Sequence, residues 1–156
     1  MARLITPEVE KALTCGRLAH LVTVNPDGSP QVSLIWVGVE DGEIVSGHLG
    51  ERRKLSNVRR NPHVVLSMEA AGRTEHGLDH YIVVRGRARI TEGGAPALLQ
   101  RLAHVYLGPE VRFPPMENPP EGVILRITPE RISGVGPWTW AVADTPGGGV
   151  DCRASP

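Results

Sequence analysis

Cysteine is scarce: the 156 residues hold two, Cys15 and Cys152. They stand far apart and neither forms a Cys-x-x-Cys pair, so neither a disulfide framework nor a thiol metal or redox site is expected. No apolar run approaches the roughly 20 residues that cross a bilayer. The opening stretch, Met1 to Glu8, lacks the apolar core of a secretory signal. Net charge is absent as well, since 17 Lys and Arg balance 17 Asp and Glu. A general nucleic-acid binder needs a positive excess to neutralise phosphates, and this chain has none. These absences point to a cytoplasmic protein with neither a membrane nor a nucleic acid as partner.

Catalytic signatures are missing too. There is no G-x-S-x-G elbow, no glycine-rich dinucleotide fingerprint and no P-loop. Of the six histidines, only His76 and His80 stand four apart, in a glycine-containing stretch. Zinc requires more ligands than that pair supplies, so no metal site is expected. No side chain is singled out as a catalytic acid, base or nucleophile. Cys15 reads as a small buried residue.

What remains is strand and turn chemistry. Thr6, Pro7 and Glu8 are suited to open a short helix that runs to about Cys15 and ends at Gly16. Two β-rich stretches, 18–24 and 30–39, flank the turn residues Asn25 to Ser29 and read as a hairpin. Glu43 to Ser46 makes a third strand, and Glu51 to Arg60 a short helix stopped by Asn61 and Pro62. His63 to Met68 is a strand, 70–79 a loop, and His80 to Ile90 a long strand in which Gly86 predicts a bulge. Ala95 to Leu107 has helical periodicity. Five prolines make 108–122 an irregular loop, which either shapes a particular substrate pocket or is only a surface loop. Val123 to Val135 is a last strand, with Pro129 at an irregularity. The expectation is an all-β fold: six antiparallel strands in a barrel decorated by short helices, within one domain over 1–140. The Gly- and Pro-rich segment 141–156 is expected to be disordered.

The most informative stretch runs from Ser46 to Asn57. Arg52, Arg53 and Lys54 occupy the first turn of the predicted helix, the wrong end for positive charge. A bound phosphate would use both the free N–H groups and the cationic side chains. The alternative is a solvated basic face. His48 stands beside this cluster, either as a polar contact to the same ligand or as an ordinary loop histidine. Ser33 and Ser46 lie on predicted strands and suit hydrogen bonding. Trp36, Trp138 and Trp140 either pack the fold or offer a stacking wall to a flat ligand.

Three segments, Leu21 to Val37, Gly50 to Val65 and Tyr81 to Ile90, together resemble the pyridoxamine-phosphate-oxidase-like flavin and deazaflavin oxidoreductases. The resemblance runs from about Leu13 to Ile132 and is closest to the branch that uses coenzyme F420. It implies a six-stranded Greek-key split β-barrel that works as a homodimer, with two cofactors in grooves at the interface. It places the cofactor phosphate on Arg52, Arg53, Lys54 and Asn57. The ring would lie along Gln31, Val32, Ser33, Ser46 and Gly47, with Trp138 of the partner chain closing the ring side. The C-terminal signature of true pyridoxamine phosphate oxidases is not visible, so vitamin B6 oxidation is not expected.

The function implied is an F420-dependent reductase. It would pass hydride to an electron-poor small molecule such as a quinone, an unsaturated lactone or a tetrapyrrole. An FMN enzyme on the same scaffold and a non-catalytic cofactor-binding protein are the alternatives.

Overall fold

The structure is a computed structural model that describes residues 4–139. Its elements are α1 (Pro7–Leu13), β1 (Ala19–Val24), β2 (Pro30–Ile35), β3 (Gly38–Glu40), β4 (Glu43–His48), α2 (Arg53–Arg60), β5 (His63–Arg73), β6 (Asp79–Glu92), α3 (Ala95–Tyr106) and β7 (Val123–Val135). The segment 141–156 and Cys152 lie outside the described residues, so the expectation of a disordered tail has no counterpart here.

All seven strands join one antiparallel sheet in the order β2-β1-β5-β6-β7-β4-β3. The expected strand over 30–39 is two strands, which raises the count from six to seven. β2 ends at Ile35 on one edge of the sheet, and β3 begins at Gly38 on the other. Three Cα steps span at most about 11 Å. The two edges must therefore come within that distance, so the sheet is rolled into a split barrel rather than laid open. The chain crosses the split at Trp36 and Val37. Tyr106 of α3 secures the crossing: its hydroxyl accepts from the Val37 N–H at 3.0 Å and donates to the Arg17 carbonyl at 3.0 Å.

Thr6 caps α1, with Oγ1 accepting from the Val9 N–H at 3.4 Å, and Pro7 sits in the first turn. The helix delivers Val9, Ala12 and Leu13 to the barrel core, where they meet Leu21, Ile35, Leu66 and Ile82. Cys15 follows it, half-buried and not a free thiol, so the expectation of a small buried cysteine outside any disulfide does not hold. A second, smaller core lies under α3, where Leu98 and Leu102 cover Val45 and Ile124. Two glycines permit that approach. A Cβ at Gly47 would sit 3.1 Å from Leu99 Cγ, and one at Gly38 would sit 3.0 Å from Leu102.

Half of the loop expected over 70–79 is strand: β5 runs on to Arg73 and β6 starts at Asp79, with a register irregularity after Glu69 and a turn over 74–78 between them. Gly86 is the predicted bulge. The register between β6 and β7 slips between Arg85 and Gly86, where Pro129 faces the glycine. A Cβ on Gly86 would lie 2.5 Å from the Thr128 carbonyl oxygen. Gly86→Ala is therefore expected to cost about 1–3 kcal/mol, as overpacking does. Urea unfolding measures it, and an unchanged midpoint would mean that β6 and β7 are not locked together here.

Candidate functional site

The site begins where β4 gives way to α2. Arg52 is the N-cap of α2, in an extended conformation with no side-chain cap, and no acidic residue lies in the first turn. The N–H groups of this turn thus lack the carboxylate or hydroxyl partner that usually satisfies them. Beside them stand Arg52 and Arg53, both exposed, and Lys54, half-buried. Among the described residues no carboxylate pairs with any of the three. Further along the same helix the arginines are engaged. Arg59 bonds Glu51 at 2.7 Å, and Arg60 donates to the Val24 carbonyl and to Asn57 Oδ1. The free cations are those that face the helix N-terminus.

Asn57 fixes α2 against the barrel. Its side chain is 1 % exposed. Nδ2 lies 3.0 Å from Thr23 Oγ1, 3.0 Å from Asn25 Oδ1 and 3.3 Å from Gln31 Oε1. Those acceptors come from β1, the hairpin turn and β2. A single buried amide thereby sets where the cationic turn sits relative to the strands.

A cavity of about 220 Å³ opens next to that turn. Ser46, His48 and Lys54 form its polar wall. Its apolar lining includes Leu34, Trp36 and Phe113. The His48 side chain is 9 % exposed, and its Nε2 is buried with no hydrogen-bond partner. Burial, and then the neighbouring Lys54 charge, pushes its pKa down to about 4. His48 is therefore neutral at pH 7. Burial, and then the Arg52 charge, also lowers the pKa of Lys54. Nearby positive charge and an unpartnered imidazole nitrogen suit a polar anionic ligand, which would relieve both. The volume falls below the range of about 300–1,000 Å³ typical of ligand pockets.

The structure brings Ser46, Gly47, His48 and Lys54 together around this cavity. Gln31 and Asn57 meet in the polar network beside it. Arg52 and Arg53 stand at the mouth of α2. Val32 is 56 % exposed on the uncovered face of the sheet, and Ser33 pairs with Leu21 on the β1–β2 ladder. Trp138 lies elsewhere in this chain, edge-on to His80 at 5.9 Å between ring centroids. Sequence reasoning did not name Leu18, Leu34, Leu99 or Phe113 as site residues. For Phe113 the only signal was the proline-rich context.

Over residues 5–136 the chain matches the family model described as pyridoxamine 5'-phosphate oxidase. It matches none of the curated proteins. Among solved structures it is similar to an F420 reductase, with 29 % identity, a TM-score of 0.65 and coverage of 82 % of this chain and 98 % of that one. It is also similar to the conserved hypothetical protein Rv2991 from Mycobacterium tuberculosis, with 26 % identity, a TM-score of 0.62 and coverage of 86 % and 87 %. A FAD-binding protein from Mesorhizobium loti shares the fold at 21 % identity, with a TM-score of 0.57 and coverage of 80 % and 88 %.

The low His48 pKa has a consequence for stability. An unfolded histidine titrates near 6.5, so between about pH 6.5 and 4 the unfolded chain binds more protons than the folded one. Stability then falls as pH falls through that window. At pH 5 the His48 contribution is about 2 kcal/mol of lost stability relative to pH 7. Urea unfolding of the wild type and of His48→Gln at both pH values isolates it. Equal pH dependence in the two proteins would mean that His48 is not buried as a neutral group.

Proposed function

This chain belongs to the pyridoxamine 5'-phosphate oxidase family, and from that premise we propose that it is an oxidoreductase using deazaflavin F420 to reduce a small, electron-poor organic acceptor. The observation that carries the reading is the cationic turn of α2. Among the described residues Arg52, Arg53 and Lys54 have no carboxylate within ion-pair distance, stand at a helix N-terminus with no side-chain cap, and adjoin the buried unpartnered His48 Nε2. That arrangement fits the phosphate end of a cofactor, which takes both backbone N–H groups and cationic side chains. The similarity to an F420 reductase across nearly the whole of that protein favours the deazaflavin. FMN is the alternative, because the cations recognise phosphate rather than the ring. A protein that binds the cofactor without turnover would use the same residues.

When bound, the reduced cofactor supplies a hydride, and solvent supplies the proton that completes reduction of the acceptor's double bond. The chain's own groups bind and orient. Lys54 and the arginines hold the anionic end, and α2 is held in place by Asn57. Ser46 and neutral His48 offer hydrogen bonds along β4 without adding charge beside the ring. The quinone, unsaturated lactone or tetrapyrrole acceptors inferred from sequence are all planar and conjugated, and all fit this chemistry.

A homodimer completes the site in this reading. The outer face of β2, β1 and β5 carries the cross-strand set Val32, Val22 and Val65. Leu34 on the same face is 54 % exposed and also borders the cavity. Exposed apolar surface continuous with an incomplete pocket is suited to a second copy. Light scattering is expected to give a dimer at micromolar concentration. Val32→Arg is expected to yield monomer with weakened cofactor binding. A monomeric wild type would sink the interface groove.

Titration with F420 and with FMN, followed by calorimetry, tests the cofactor itself. Selective micromolar binding of F420 is expected. Lys54→Ala and Arg53→Ala should each weaken it by about 1–3 kcal/mol, the scale of a charged hydrogen bond. Unchanged affinity in both variants would remove the phosphate site from α2, and selective FMN binding would replace the deazaflavin.

A further inference from the structure

We propose that the proline-rich segment 108–122 is the acceptor-selecting element of the site, and that Phe113 is its contact residue. With Trp36 it forms an aromatic wall for a planar, conjugated acceptor. The inference rests on the reductase reading above and adds to it a residue that sequence reasoning did not assign.

The segment has no regular structure, yet Gln100 of α3 positions it. The Gln100 side-chain oxygen accepts from the Phe113 N–H at 2.9 Å, and its Nε2 donates to the Val111 carbonyl at 2.8 Å. One amide used at both ends, with opposite polarity, fixes its own orientation and the course of the loop. Pro114 next in sequence is buried and anchors the loop, whereas the Phe113 ring is only half-buried and lines the cavity. A ring serving only as an anchor would be the buried member of that pair. The Phe113 ring lies 5.1 Å from that of Trp36, tilted by 55°. Trp36 is stacked on Tyr106 at 5.3 Å and 14°. Tyr106 in turn holds the strand crossing at Val37. The aromatic wall is thus built on the most constrained point of the barrel.

The two walls of the cavity differ in chemistry. Lys54, His48 and Ser46 supply the polar lining that suits the anionic cofactor end, while Trp36 and Phe113 supply the aromatic lining of the same cavity. A flat conjugated molecule gains from stacking on that second wall, and a small aliphatic one gains little. Placing selectivity on a loop carried by a rigid scaffold is also the usual division of labour in binding sites.

Calorimetric titration of the protein, with oxidised F420 present, by a naphthoquinone tests this without turnover. Phe113→Ala and Gln100→Ala are expected to raise the naphthoquinone Kd about fivefold or more, the scale of one lost aromatic contact. Phe113→Leu should fall between them and the wild type, and the Kd for F420 should stay within about twofold in all three. Gln100→Ala leaves the ring in the chain and frees only its loop, so it serves where Phe113→Ala folds poorly. No naphthoquinone binding by the wild type, an unchanged naphthoquinone Kd in the variants, or an equal loss of F420 affinity would overturn the assignment. Phe113-dependent naphthoquinone binding without any hydride transfer would sustain the assignment and sink the reductase reading instead.

Discussion

The Tyr106 hydroxyl bridging Val37 and Arg17 is the contact on which the rest of the molecule depends. At Trp36 and Val37 the chain leaves one edge of the sheet and reaches the other, so neither ladder can satisfy the Val37 N–H. A buried donor left without a partner costs about 1–3 kcal/mol. Tyr106 supplies that partner from α3, and in doing so it ties the helix to the split of the barrel. Burial raises the Tyr106 pKa, so the hydroxyl keeps its proton and can donate to Arg17 while accepting from Val37. The crossing, the seating of α3 and the placement of Trp36 follow from one phenol.

A second buried polar group sets the other side of the site. Asn57 is enclosed, so its amide must be satisfied within the protein, and it draws Thr23, Asn25 and Gln31 to α2. The helix cannot rotate without stranding those groups. Its C-terminal arginines are thereby committed to Glu51 and to the β1 carbonyl, while Lys54 at its N-terminal turn lines the cavity. Charge that looks uniform along the sequence 52–60 is partitioned by packing into a structural half and an available half.

Much of this was legible from local chemistry. Thr6 and Pro7 announce α1, Gly86 announces the bulge opposite Pro129, and the basic run Arg52 to Lys54 marks a helix N-terminus that no acidic residue in its first turn offsets. The strand break was not legible. Residues 30–39 keep an apolar, β-branched pattern straight through the crossing, and only the closure of the sheet divides them. The resemblance places the cofactor phosphate on Asn57; what the sequence did not show is that its buried amide also fastens the cationic turn to the barrel. Gly47 borders the cavity, but its missing side chain mainly admits Leu99. Phe113 escaped notice because its position is set by Gln100, thirteen residues earlier and in another element. Each miss concerns a residue whose role is fixed by a partner distant in sequence.

The two walls of the cavity therefore have different origins, and that bears on what the fold can and cannot specify. The cationic wall is built from one helix end and one buried amide. In the proposed reading that wall takes the phosphate of a flavin and of a deazaflavin alike, because it recognises the anion rather than the ring. On the aromatic side Trp36 is fixed at the strand crossing, whereas Phe113 rides on a long irregular segment whose course hangs on a few hydrogen bonds and can change without disturbing the barrel. Under the proposal, such a scaffold separates the means of holding a cofactor from the loop that selects the acceptor. Fold likeness alone then informs the first of these and leaves the second to Phe113 and its neighbours.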